Sequence, residues 1–178
     1  MIESKEMLKE YLTVEKALYL GNKKAAIKHW LLKTEDYRIW RFQKQLRKAE
    51  YHFNLQHKIR YFISQKLKNY YGSNVGASIY RNNVSIGLRI WHYGVIINGY
   101  AQIGKNCQLH GDNCIGNKGD ERTNAPVLGD NVDVGIGAKI IGDVYIADGV
   151  KIGANAVVVK SCTKKNAVLV GIPAEDIS

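Results

Sequence analysis

Residues 129–161 read GDNVDVGIGAKIIGDVYIADGVKIGANAVVVKS, and large apolar residues recur in this stretch every six positions. The large positions of this part of the chain are Leu128, Val134, Ile140, Ile146, Ile152 and Val158. A second, mostly small position follows four residues after each of them, at Val132, Ala138, Val144, Val150, Ala156 and Cys162. An earlier run has large residues at Trp91, Ile97, Ile103, Leu109 and Ile115. Its small positions are Val95, Ala101, Cys107 and Asn113, of which only the asparagine departs from the pattern.

A period of six excludes an α-helix for this half of the chain, because six helical residues advance by about 600 degrees and would spread the apolar positions around the cylinder. A chain that turns a corner every six residues explains the pattern, since the large side chain fills the middle of a triangular coil and the small one fits near a corner. Gly, Asn and Asp accept the backbone conformations of such corners. We therefore predict a mainly β protein, with a parallel β-helix over residues 72–178. Three hexads make one coil, and ragged first copies lie around Ile79 and Ser85.

Residues 1–71 carry a helical pattern instead. Apolar residues recur at spacings of three and four, proline is absent, and Gly21-Asn22 and Gly72-Ser73-Asn74 are helix breakers. The pattern predicts a short helix pair and then one long helix from about Asp36 to Tyr71. The aromatic residues of this long helix are expected to pack against the rest of the molecule or a neighbouring subunit.

The net charge of +10 lies almost wholly in this helical segment. Residues 1–71 hold 16 Lys or Arg against 7 Asp or Glu, whereas residues 72–178 hold 10 against 9. This excess indicates an anionic partner, such as nucleic acid, a membrane face or an acidic polymer, or else a solvated helical surface. No nucleic-acid-binding motif accompanies the charge, so nucleic acid is the least favoured partner.

Composition also bears on location and redox chemistry. The N-terminus is charged where a signal peptide is apolar, and no apolar run of about 18 residues occurs. We therefore expect a cytoplasmic protein and leave open a position at the inner face of the membrane. Cys107, Cys114 and Cys162 are too few and too scattered for a disulfide framework or a CxxC metal site. Cys107 and Cys162 are interpreted as small inward residues rather than nucleophiles.

The run at residues 129–161, followed by GIPAEDI at residues 171–177, resembles the hexapeptide-repeat acyltransferases. The chain is most similar to serine acetyltransferase and to its relatives in capsule and surface-polysaccharide gene clusters. The resemblance is strong from about residue 87 to the end, and IWRFQKQLRKAEYHFN at residues 39–54 extends it into the helical segment. It implies a left-handed parallel β-helix with an N-terminal helical segment. It also implies acetyl-CoA as the donor, no metal, and a homotrimer, or a doubled trimer, with each active site between two subunits.

Two histidines occupy matched places in the repeat. His92 and His110 are three hexads, or one coil, apart, so we expect them to lie above one another at about the 4.8 Å strand spacing. Each ring of such a pair disfavours the charged form of the other, which leaves a neutral imidazole able to accept a proton. A neutral histidine accelerates the attack of a hydroxyl on a thioester by roughly 10² to 10⁴ without a metal.

The resemblance assigns the two histidines different roles. Trp91-His92-Tyr93-Gly94 stands where serine acetyltransferases have a catalytic Asp-His-Ala-Thr-Gly stretch, so His92 is the candidate base. His110 is expected to be a substrate ligand or a second catalytic group.

Two features of serine acetyltransferases are missing from the sequence. Their Gly-Asp-Arg-His loop is replaced by GDERTNAP at residues 119–126, without the histidine, and the neighbourhood GASI at residues 76–79 lacks the aspartate that orients the base. The segment between Ile115 and Leu128 breaks the hexad count, so it is expected to loop out over a polar acceptor. The candidate acceptor-binding residues are Asp112, Asn113, Asn117, Asp120 and Arg122.

For the donor, the resemblance places the pantetheine arm along the later coils, against small residues and backbone groups. By position it implicates Ile136, Ala138 and Ala154, with Lys139, Lys151 or Lys160 available for the phosphates.

Three functions fit these observations. The leading hypothesis is an acetyl-CoA-dependent O-acetyltransferase that modifies a sugar hydroxyl of a surface polysaccharide or its precursor. Peripheral membrane association through the basic helices fits this hypothesis, because lipid-linked glycans lie at an anionic membrane face. The second is a serine O-acetyltransferase, and the third is a non-catalytic trimeric scaffold.

Overall fold

The computed structural model describes residues 1–119 and 123–178. Four helices come first, namely α1 (Lys5–Leu20), α2 (Lys23–Leu32), α3 (Glu35–Asn54) and α4 (Lys58–Asn74). Short strands follow, namely β1 (Arg89–Ile90), β2 (Ile96–Ile97), β3 (Gln102–Ile103), β4 (Gln108–Leu109), β5 (Cys114–Gly116), β6 (Val127–Leu128), β7 (Asp133–Val134), β8 (Lys139–Ile141), β9 (Tyr145–Ile146), β10 (Lys151–Ile152), β11 (Val157–Val158), β12 (Val168–Gly171) and β13 (Ala174–Asp176).

The strands form the three faces of a triangular coil. Face 1 consists of β1, β4, β7, β10, β12 and β13, face 2 of β2, β5, β8 and β11, and face 3 of β3, β6 and β9. Neighbouring strands pair in parallel, except for the final β12–β13 pair. Because successive strands of the chain go to successive faces, the predicted parallel β-helix is confirmed.

The large repeat positions fill the middle of the coil. Val134 and Ile152 pair on face 1, one coil apart, and are 0% and 3% exposed. Cys107 is completely buried, as predicted for a small inward position, and burial raises the pKa of its thiol to about 11. Bridges from Ser78 to Ile96 and from Val84 to Ile103 begin the stack where ragged first copies were expected.

The predicted register is wrong at one corner. Ile90 pairs with Leu109, one position beyond three full hexads, because the connection from β1 to β2 is one residue longer than that from β4 to β5. Ile90 is therefore the inward residue, at 2% exposed, and Trp91 lies outside the coil, at 40% exposed. The extra residue is accommodated at this corner, where Gly94 has a φ of 84° that a residue with a Cβ adopts only with strain.

The interruption of the repeat lies between face 2 and face 3. Ile103 pairs with Leu128 across the interruption, whereas Leu128 pairs with Ile146 after the regular three hexads. The coil thus resumes its regular pairing after the additional residues, which agrees with the break in the hexad count. Asp120 and Arg122, which were predicted to bind the acceptor, lie outside the described residues.

The helical segment differs from the prediction in its second half. Gly21 and Asn22 do separate α1 from α2, but the expected long helix is two helices, because Gln56 adopts a left-handed φ of 55° between α3 and α4. The helix also continues through the predicted breaker to Asn74. The aromatic residues of α3 pack as expected, with Phe42 1% exposed, whereas Phe62 of α4 is 69% exposed.

A buried ionic cluster ties these helices to the coil. Arg47 of α3 is fully buried and contacts Glu15 of α1 at 2.7 Å and Glu50 at 3.0 Å. Its remaining N–H groups donate to the carbonyl oxygens of Val84 and Ser85 in the first coil, at 2.7 and 2.8 Å. Burial lowers the pKa of this guanidinium, but the two carboxylates outweigh burial and raise it. All five N–H groups of the arginine are therefore satisfied without water.

Candidate functional site

Both candidate histidines lie at the corner that joins face 1 to face 2. His92 follows β1 and His110 follows β4, so they belong to neighbouring coils. The longer register between β1 and β4, however, aligns His110 with Trp91 rather than with His92. The expected stacking of the two imidazoles is therefore wrong, and each histidine has a carboxylate partner of its own.

His92 is held by the helical segment. Its Nδ1 lies 3.2 Å from Oε2 of Glu35, in the first turn of α3, and the two side chains are 60% and 39% exposed. The adjacent Asp36 binds Arg89 of β1 at 2.7 Å, which fixes the start of α3 beside the corner. When Nδ1–H donates to the carboxylate, Nε2 retains its lone pair and can accept a proton.

His110 takes part in a second cluster on the same corner. Its Nε2 lies 2.8 Å from Oδ1 of Asp133, which comes from the next coil. The indole of Trp91 stacks on the imidazole with ring centroids 5.8 Å apart and planes 17° apart. Trp91 Nε1 also donates to Oε1 of Gln108 at 3.0 Å. The guanidinium of Arg89 lies 4.4 Å from the centre of the same indole, so a partly exposed aromatic ring is surrounded by polar groups of the chain.

Asn113, a predicted acceptor ligand, is buried inside the corner. It is 1% exposed, its Oδ1 accepts from the Gly111 amide at 2.9 Å, and its Nδ2 donates to the Gly135 carbonyl oxygen at 2.8 Å. The hydrogen-bonding groups of its side chain are therefore satisfied by the corner backbone, which explains why a polar residue occupies the small inward position. Asp112 beside it is exposed, with a left-handed φ of 49°, and its side chain remains at the corner.

Asn117 lies at a different corner from the histidines. It follows β5 at the junction of face 2 with face 3, where its Oδ1 accepts from Nδ2 of Asn98 at 3.0 Å. Within one chain, Asn117 is separated from His92 by the width of face 2. The structure thus does not bring all the predicted acceptor-binding residues together in a single chain.

Of the predicted donor residues, some are exposed at the histidine corner and one is buried. Ile136 and Ala154 are exposed at the histidine corner, in successive coils, as expected. Ala138 is completely buried, and its carbonyl oxygen accepts from the Cys114 amide, so within one chain it is not exposed to a donor.

The three lysines predicted for the donor phosphates lie apart, two of them at opposite edges of face 2. Lys139 begins β8 at the histidine corner and donates its Nζ to the carbonyl oxygen of Asp112. Lys160 is exposed beyond β11, at the far edge of the face. Lys151, the third candidate, is exposed on face 1.

A strip without side chains runs along the coil beside His110. The position that aligns with His110 in the next coil is Gly135, followed by Gly153. A Cβ at Gly135 would lie 2.7 Å from the backbone nitrogen of Ala154, so the neighbouring coils approach too closely for any other residue. The two glycines therefore permit close packing of the coils, and they lie half-buried at the corner where Ile136 and Ala154 are exposed.

Sequence reasoning missed Glu35 and Asp133 as partners of the histidines. Glu35 is 57 positions from His92 in the sequence, and no motif links the two. Asp133 falls in an ordinary hexad, so only the correct coil register, across the inserted loop, places it next to His110.

Comparison with known proteins gives consistent relatives. The chain is 33% identical over 107 residues to serine acetyltransferase of Mycobacterium tuberculosis, covering 60% of this chain and 43% of that protein. It is 41% identical over 81 residues to serine acetyltransferase of Staphylococcus aureus, covering 45% and 38%. The chain thus matches less than half the length of these curated relatives. No protein-family model matches it.

Solved structures extend the similarity to the helical segment. The soybean serine acetyltransferase apoenzyme superposes with a TM-score of 0.77 at 23% identity, over 96% of this chain and 69% of that one. Serine acetyltransferase from Brucella abortus gives 0.76 at 20%, over 98% and 70%. These likenesses show the fold, including the left-handed course of the coil. The chain is therefore similar to serine acetyltransferases in sequence over part of its length, and it has their fold over nearly all of it.

Proposed function

We propose that the protein is an acetyl-CoA-dependent O-acetyltransferase whose general base is His92. The observation that carries this proposal is the contact of His92 Nδ1 with the Glu35 carboxylate at 3.2 Å, on an exposed corner of the coil. A rigid scaffold needs no histidine oriented in this way. The similarity to serine acetyltransferases supports the same chemistry.

In the proposed reaction, the acceptor hydroxyl gives its proton to Nε2 of His92 as its oxygen attacks the thioester carbonyl carbon. The carbon–sulfur bond then breaks, and the coenzyme A sulfur leaves with the proton from the imidazolium. Glu35 keeps the ring in the productive tautomer and stabilises its transient positive charge. A backbone N–H at the corner is suited to stabilise the oxyanion, because glycines expose the main chain there.

The proposed donor site is the strip formed by Gly135 and Gly153. The exposed Ile136 and Ala154 flank it, and Lys139 lies at the same corner, where its charge favours the phosphates. A serine acetyltransferase of Brucella abortus has been solved in complex with coenzyme A, which supports this donor.

Serine is the acceptor that the comparisons favour. The relatives are named for it, and the soybean enzyme has been solved with serine bound. The sugar hydroxyl of a surface polysaccharide, which was the leading hypothesis from the sequence, is less well supported. It remains the second candidate on one observation, the partly exposed polar groups of Gln108, His110 and Asp133 around the Trp91 indole, which are suited to hydrogen-bond sugar hydroxyls.

A homotrimer with shared sites is part of this proposal. Asn117 and the histidine corner lie at opposite edges of face 2, so one chain does not bring both together. In the proposed trimer, three prisms pack side by side, with Asn117 of one chain near the histidine corner of the next. For the basic residues 1–71 we propose peripheral association with an anionic membrane face, on account of their charge.

The release of free thiol from acetyl-CoA tests the proposal when L-serine and a panel of free sugars and glycans are supplied as acceptors. We expect turnover with serine that exceeds the acceptor-free rate. Turnover with a sugar and none with serine would favour the second candidate. No thiol release with any acceptor would contradict acetyl transfer and favour the scaffold.

A further inference from the structure

In α2 the large apolar side chains lie on the solvent side and the small residues lie on the side that faces the protein. None of the residues of this helix is buried, and those that are partly covered by the protein are the alanines Ala25 and Ala26 together with His29. The large apolar residues point away from the protein, namely Ile27 (59% exposed), Trp30 (51%), Leu31 (63%) and Leu32 (64%). A surface helix of a globular protein normally turns such residues inward. The orientation of α2 therefore indicates a surface built to be covered by something else.

Lysines flank the apolar face of α2. Lys23 and Lys28 lie on either side of Ile27 on the helical surface, Lys24 lies beside them, and the helix contains no acidic residue. Lys33, just after the helix, places its Nζ 4.7 Å from the centre of the Trp30 ring. Apolar and basic groups are thus presented together on the same side of the molecule.

The positive charge continues into an open groove of about 900 Å³ between α1 and α2. Its floor is largely apolar, and one carboxylate, that of Glu6, lies among the lysines that rim it, which are Lys5, Lys9, Lys16, Lys23 and Lys44. Burial lowers the pKa of Lys44, and the neighbouring charges of Lys48, Lys16 and Arg41 lower it further. The crowding of these cations leaves a positive field that an anionic partner relieves.

These observations distinguish between the partners that are able to cover α2. A second copy of the chain would bring one basic face against another, which like charges oppose. A nucleic acid would pair with the lysines and leave Ile27 and Leu31 in water. An anionic bilayer provides partners for the basic and the apolar side chains alike, because its headgroups pair with lysines while its acyl boundary receives Trp and Leu side chains. Among the described residues, no helix is long and apolar enough to cross a bilayer.

We propose that α2 lies in the plane of an anionic membrane surface, with Ile27, Trp30 and Leu31 inserted at the acyl boundary and the surrounding lysines on the phosphates. This inference rests on the proposed membrane association of residues 1–71 and names the element responsible for it. The coil is then held beside the membrane.

Co-sedimentation with vesicles tests the inference on the full chain. Vesicles of phosphatidylcholine with a quarter phosphatidylglycerol are compared with pure phosphatidylcholine, and we expect at least about tenfold tighter binding to the anionic vesicles. The double variant Ile27→Glu, Leu31→Glu is expected to lose at least about tenfold in this binding. The control is Ile172→Glu, Ile177→Glu, which introduces the same two charges at exposed apolar residues outside the helical segment and is expected to bind like wild type.

Each other outcome contradicts a defined part of the account. Failure of the wild type to bind anionic vesicles overturns both the membrane association and the role of α2. Wild-type binding that survives in the α2 variant, with its helicity intact by circular dichroism, overturns the role of α2 alone. A change in molecular mass of the α2 variant without vesicles identifies a second copy as the partner and overturns the inference. Thiol release with a water-soluble acceptor is measured separately, so none of these results bears on acetyl transfer.

Discussion

Trp91 stacks on His110 across neighbouring coils, with the ring planes 17° apart and the centroids 5.8 Å apart. This pairing replaces the stack of His92 on His110 that a coil of three exact hexads would have produced. The consequence is a division of roles at the corner, since His92 is oriented from the helical segment by Glu35 and His110 from the coil by Asp133.

Glu35 positions the proposed base, so Glu35→Gln is expected to lower kcat by about threefold to tenfold while KM changes less than twofold. The loss is modest because the contact is partly exposed and therefore screened. Steady-state kinetics with acetyl-CoA measures both constants, and Glu35→Asp is expected to recover part of the rate. Glu6→Gln, on the exposed side of α1, is the control. A raised KM with an unchanged kcat would show instead that Glu35 binds a substrate.

Asn113→Ala separates the structural role of this residue from the acceptor-binding role predicted from the sequence. The substitution leaves the buried Gly111 amide without its acceptor, and it removes one of the two hydrogen bonds to the Gly135 carbonyl oxygen, which also accepts from the Ala138 amide. We expect a loss of about 1–3 kcal/mol in the free energy of unfolding, measured with urea. An unchanged stability with a raised KM for the acceptor would restore the original prediction.

Arg47→Met is expected to destabilise the protein by about 3–5 kcal/mol, because it leaves the carboxylates of Glu15 and Glu50 buried without a counter-charge. Combining it with Glu15→Gln and Glu50→Gln is expected to recover part of this loss. Lys48→Met, one position along α3, serves as the control for the change of side chain. The free energy of unfolding in urea is measured for the wild type, both single variants and the triple variant. Equal stability of Arg47→Met and Lys48→Met would refute the account.

Asp148 links two coils at the junction of face 3 with face 1, since it accepts from the Asp130 amide and binds Lys165 at 2.8 Å. The hydrogen bond from Lys165 and that from the Asp130 amide lower the pKa of this carboxyl. A lowered folded-state pKa stabilises the protein above the unfolded-state value and loses this contribution as the pH falls through the folded-state value. Asp148→Asn is therefore expected to lower Tm at pH 7 and to reduce the fall in Tm between pH 7 and pH 3. An equal fall in both proteins would exclude this contribution.

The period of six was sufficient to predict the coil, because the large and small apolar residues of each hexad mark its inward positions. The same rule failed at Trp91, since an apolar residue at the expected spacing carries no sign that the corner has gained a residue. The sequence is ambiguous at Asn113 as well. A polar residue at an inward repeat position fits a ligand-binding residue and a buried residue that hydrogen-bonds the backbone equally well.

Tertiary contacts explain the other differences. The break at Gln56 involves neither glycine nor proline, and it depends on the packing of α4 back along α3. Glu35 and His92 meet only because Asp36 and Arg89 fix α3 against the coil. No local pattern in the sequence encodes a contact of this kind.

The most direct measurement of the central claim is the rate of thiol release from acetyl-CoA by His92→Ala, with the acceptor that the wild type uses. The account predicts a fall in kcat/KM of roughly 10² to 10⁴, because a general base contributes about that much. His57→Ala, which removes an imidazole from the α3–α4 turn, is expected to retain the wild-type rate. An undiminished rate in a folded His92→Ala variant would contradict the assignment of His92 as the base.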